Sequence, residues 1–85
     1  MKLSTFIFHV ESCKCEKFRD IVADYIKHFY PDAQKQGTLN LVNYRLVVET
    51  YDIDWMWSEV SCFVDSVLHI AKEKNILVVC ESVKF

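Results

Sequence analysis

At 85 residues, 52% hydrophobic and 26% charged, the chain is long enough for one packed domain and too apolar to be disordered. Its formal net charge is −2, and lysine and arginine are scattered. It therefore lacks the basic patch that phosphate neutralisation requires, which argues against a nucleic-acid binder. A single glycine excludes glycine-rich phosphate loops, and with one proline it leaves little room for long connections, so residues 1–85 should be mostly helix and strand in one domain.

The first element is a strand. Lys2–Val10, KLSTFIFHV, places Phe6, Phe8 and Val10 on one face and Leu3, Thr5, Ile7 and His9 on the other. A strand apolar on both sides belongs near the middle of a sheet. In the following SCKCEKFRDIVADYIKHFYP, Phe18, Ile21, Val22, Tyr25 and Phe29 recur at three- and four-residue steps and line one helical face. Ser12 suits the N-cap, and Pro31 stops the helix by pushing the residue before it out of helical geometry.

Cys13 and Cys15 form a C-x-C between this strand and helix. Thiolates near a helix N-terminus are acidified and take soft metals, so the pair is the chain's candidate for metal or thiol-redox chemistry. It is not the Cys-x-x-Cys of heavy-metal-associated domains. Two residues flanking a cap is the plainer reading, and no cofactor is expected. Cys62 and Cys80 fall in a helix and a strand and read as small hydrophobes.

QKQG is a polar connector, and TLNLVNYRLVVETY is strand. Leu39 and Leu41 are odd-numbered, whereas Tyr44, Leu46 and Val48 are even. A two-residue turn at Val42-Asn43 reconciles them, with Leu41 opposite Tyr44 and Leu39 opposite Leu46. Valine is poorly suited to such a turn, so one long bulged strand is the alternative.

Residues 51–57, YDIDWMW, hold both tryptophans. With Asp52 or Asp54 as cap, a second helix runs to about Lys74 and buries Met56, Val60, Phe63, Val64, Val67, Ile70 and Ala71. On a helix starting near Asp54, Met56 and Trp57 turn toward the core and Trp55 projects outward. NILVVCESVKF is the last strand.

The order β-α-β-β-α-β points to a two-layer ferredoxin-like α+β sandwich, a four-stranded antiparallel sheet with two helices on one face. One long bulged middle strand would give β-α-β-α-β instead. The RNA-recognition module shares the first order, but YRLVVETY lacks its aromatic signature.

No Ser-His-Asp or Cys-His arrangement stands out, so a non-enzymatic role is expected. Two recognition features remain. One is an outward Trp55 with Tyr51, flanked by Asp52, Asp54 and Glu49, suited to a partner with a basic surface. The other is the sheet face without helices, carrying Ile7, His9 and Arg45, which a second copy or a partner could cover as a homodimer or complex. The expectation is a protein-binding inhibitor or adaptor. Its size and composition fit a phage or mobile-element accessory protein that occludes a host protein. A soft-metal or thiol-redox protein is the alternative, and nucleic-acid binding a weaker one. The N-terminal stretch has no small-residue cleavage site, and no run approaches a membrane span, so a cytoplasmic protein with reduced thiols is expected.

Overall fold

The structure is a computed structural model that describes residues 3–11, 13–31, 37–51 and 54–85. The elements are β1 (Leu3–Val10), α1 (Cys15–Phe29), β2 (Gly37–Val42), β3 (Arg45–Tyr51), α2 (Trp57–Glu73) and β4 (Val78–Lys84). They form one sheet in the order β2-β3-β1-β4, every neighbouring pair antiparallel. This is the ferredoxin-like α+β fold.

β1 is central because both of its faces are apolar enough to lie between neighbours. Phe6, Phe8 and Val10 point to the helices and are fully buried. Aromatic edges interlock above them: Phe6 meets Phe63 at 5.0 Å between ring centroids and Phe8 meets Phe18 at 5.3 Å, both T-shaped. That arrangement sets the positive ring edge against the negative face.

The middle segment is a hairpin, but its turn lies one residue later than Val42-Asn43. Asn43 and Tyr44 both have positive φ, 48° and 64°, as a tight turn matching strand twist requires. Asparagine tolerates this conformation and β-branched valine resists it. Val42 therefore stays in the ladder opposite Arg45, and Leu41 pairs with Leu46 and Leu39 with Val48. The leucines keep their expected face, while Tyr44 leaves the ladder for the turn.

α1 buries Phe18, Val22 and Ile26. The stripe thus rotates away from Phe29, which is exposed and stacks on Tyr25 at 4.5 Å. Lys14, not Ser12, is its N-cap residue, without a side-chain cap bond; Ser12 lies outside the described residues. The helix ends before Pro31, with the Tyr30 N–H donating to the Ile26 carbonyl at 2.7 Å.

α2 starts later than Asp54. Its N-cap is Met56 in extended conformation, again without a side-chain cap bond. Asp52 lies outside the described residues. Val60, Phe63, Val67 and Ala71 are buried. The C-terminus closes on Asn75 at φ 59°, with the Asn75 N–H donating to the Lys72 carbonyl and the Ile76 N–H to the Ala71 carbonyl. This double closure satisfies carbonyls the helix leaves open, and buried Ile76 seals it beside Ala71.

Tyr44 holds a left-handed conformation that glycine adopts without a Cβ penalty. Tyr44→Gly should stabilise the fold by about 0.5–1 kcal/mol, the relieved strain being partly offset by a more flexible unfolded chain. A urea midpoint equal to or below that of the parent would show that the turn is unstrained.

Candidate protein-interaction surfaces

The uncovered face of the sheet is built by strand register. β1 and β3 pair Leu3 with Tyr51, Thr5 with Glu49, Ile7 with Val47 and His9 with Arg45. Ile7, His9, Arg45, Glu49 and Tyr51 therefore share one surface, as expected from parity. β2 adds Thr38, Asn40 and Val42, and the Thr38 hydroxyl donates to Glu49 Oε1 at 3.4 Å.

A residue absent from the sequence-based set organises one end of this face. The β1–β4 register shifts between Ile7, opposite Ser82, and Phe8, opposite Cys80, which leaves Glu81 as an extra residue. Such a bulge re-aims a side chain. Glu81 reaches across β1: His9 Nδ1 lies 3.0 Å from its Oε1, and Arg45 Nε donates to both of its carboxylate oxygens, at 3.2 and 2.9 Å. Arg45 first, with His9 adding to it, holds the Glu81 carboxyl below the usual range, against a smaller opposing effect of desolvation. The broken apolar parity of VVCESVKF was the available signal: Val78 and Cys80 are even, and Val83 is odd.

The YDIDWMW corner inverts the expected arrangement. Trp55 is 5% exposed, while Trp57 is 73% and Met56 63% exposed. Trp55 precedes α2, whose N-cap Met56 is extended, so helical spacing does not govern it. Its ring packs against Tyr30 at 4.8 Å, Phe6 at 5.2 Å and Phe63 at 5.6 Å. Its indole N–H donates to the Thr50 hydroxyl at 3.0 Å, both groups buried. Trp55 is therefore a core residue and not the outward anchor. The exposed tryptophan is Trp57, whose ring meets Phe85 edge-on at 5.0 Å and 87°. Asp54 is exposed just ahead of this corner, and Glu59 lies half-buried in the first turn of α2.

The cysteines fall on four different parts of the fold. Cys13 is exposed in the turn after β1, and Cys15 opens α1 half-buried. Cys62 is exposed on α2, contrary to its reading as a buried hydrophobe, with its sulfur 3.9 Å from the Tyr25 hydroxyl. Cys80 is half-buried, and burial pushes its thiol up, which disfavours the reactive thiolate. Among the described residues, no group of three or more His, Cys, Asp or Glu side chains could hold a metal ion. Nor is any described helix long and apolar enough to cross a membrane.

Comparison with protein-family models, curated proteins and solved structures gave no match.

Removing the Trp55 ring should destabilise the fold by about 3–5 kcal/mol, the range for large aromatic deletions in cores. Thr50→Val, which keeps shape but strands the indole N–H, should cost about 1–3 kcal/mol. Urea unfolding of both variants checks this; changes below 0.5 kcal/mol, roughly the scatter of surface substitutions, would place Trp55 outside the core.

The Glu81 cluster gives a signed pH dependence. A carboxyl lowered in the folded state adds stability above its unfolded pKa and loses it as pH falls through the folded one. Glu81→Gln should therefore be less stable than the parent at neutral pH, with the difference shrinking below the carboxylate range. A difference that stays constant across that range would disprove the ion cluster.

Proposed function

We propose that this chain is a protein-binding module, an inhibitor or adaptor, whose anchor is the Trp57 corner. The exposed indole of Trp57, held edge-on by Phe85 beside exposed Met56, carries this reading. Tryptophan dominates interface energetics because a large rigid ring enters a partner's pocket with few rotatable bonds to freeze. The Phe85 contact orders the ring before a partner arrives, which lowers the entropy lost on binding. Exposed apolar groups brought together at one corner mark a contact site more than isolated ones do.

The partner's chemistry follows from the surroundings. It offers an apolar slot for an indole. Asp54 and Glu59 near the corner, in a chain of net charge −2, favour a slot with a basic rim. The action is occlusion: the module covers a surface its partner needs, and no bond is made or broken.

Trp57→Ala should weaken partner binding by about 30-fold, equivalent to about 2 kcal/mol, with the urea midpoint unchanged. Tagged parent and variant are compared for recovery of the same partner from host lysate, and binding to that partner is then titrated. Equal affinity of the two proteins would remove the anchor role.

A further inference from the structure

The uncovered sheet face poses a separate question, because its charges fit a particular occupant. Arg45 and Glu81 are paired within the chain. Among the described residues of the face, Glu49 on β3 and Lys84 on β4 lie in one row, both opposite Thr5 on central β1. Two strand spacings separate their backbones, roughly 10 Å. The four charges sum to zero, yet the negative and positive ends of this row stand on opposite sides of β1. A partner surface of one sign would match one end and repel the other.

We propose that a second copy of this chain covers the face, with a two-fold axis in the interface plane running along β1. In such an isologous contact each residue meets the counterpart of its own mirror position. β1 lies over itself, and β3 of one copy lies over β4 of the other. Ile7 then meets its own counterpart at the centre. Glu49 faces Lys84 of the second copy, and Lys84 faces Glu49 of that copy, so the row is neutralised twice. The axis leaves the two chains running in the same direction, which aligned sheet-on-sheet packing accepts within its usual twist. The footprint is small, roughly 20 Å by 20 Å from strand spacing and rise, so the dimer is concentration-dependent rather than obligate. Trp57 is not among the residues this contact uses, and a dimer presents that corner twice.

The test is sedimentation velocity over a concentration series on the full chain, with circular dichroism as the folding control. The parent should pass from monomer to dimer as concentration rises. Glu49→Lys alone and Lys84→Glu alone should each weaken the dimer by at least about 10-fold, since each places two like-charge pairs across the axis. An equimolar mixture of these two variants should regain the dimer, because every cross-axis pair is then opposite in charge. Only a contact between chains can produce that recovery. Trp57→Ala should leave self-association unchanged, so failure of the dimer and failure of the Trp57 anchor read out separately. A parent that stays monomeric throughout, or a mixture no more associated than its components, would overturn the proposal.

Discussion

The indole of Trp55 is what fixes the rest of this fold in place. It lies against Phe6, Phe63 and Tyr30 and gives its N–H to Thr50, so one ring touches β1 and α2 and hydrogen-bonds to β3. Room for it comes from small residues. Ser4 and Thr50 are cross-strand partners on the core face, and both are buried. Phenylalanines fill the next positions of β1, whereas this row has two short side chains and a ring that enters from the following segment. The hydrogen bond matters because a buried indole N–H without a partner costs about 1–3 kcal/mol.

Anchoring that ring ahead of α2 decides what the next residues do. Trp55 turns into the core ahead of the helix, Met56 after it is extended, and the helix begins at Trp57. From there Val60, Phe63, Val67 and Ala71 face the sheet, and Met56 and Trp57 are left outside. A core tryptophan and a surface tryptophan two positions apart are thus consequences of one placement. The same one-sided packing leaves the opposite sheet face with Ile7, Val47 and a paired Arg45–Glu81. The Trp57 corner and the helix-free face are built from different residues, Met56, Trp57 and Phe85 on one side and Ile7, Val47, Arg45 and Glu81 on the other.

Much of this was legible in the residues, and the failures have physical causes. The two-sided apolar pattern of β1 marked a central strand, and parity placed Ile7, His9, Arg45, Glu49 and Tyr51 on one surface. Parity also favours a hairpin over one bulged strand, but periodicity fixes only the sum of paired positions modulo two and so does not fix the turn itself. Backbone chemistry supplies the missing unit: Asn43 accepts positive φ and Val42 does not. Helical spacing extrapolated backward through YDIDWMW assigned each tryptophan to the other's environment, since spacing carries no meaning before a helix starts. Asp54 looked like the cap that would start it, yet the N-cap is Met56 with no side-chain bond at all. Glu81 escapes a reading by strict alternation for a third reason: a bulge breaks the pattern by which strand faces are read, and the parity change from Cys80 to Val83 is its one trace in the residues.

The central claim, that Trp55 is enclosed and Trp57 is presented, can be tested on tryptophan emission alone, because the chain has two tryptophans. Trp57→Phe leaves Trp55 as the sole emitter, and Trp55→Phe leaves Trp57. The structure predicts blue-shifted emission resistant to iodide quenching for the Trp57→Phe variant. It predicts red-shifted, readily quenched emission for a folded Trp55→Phe variant. The reverse assignment, or equal quenching of the two folded variants, would contradict the account at its root.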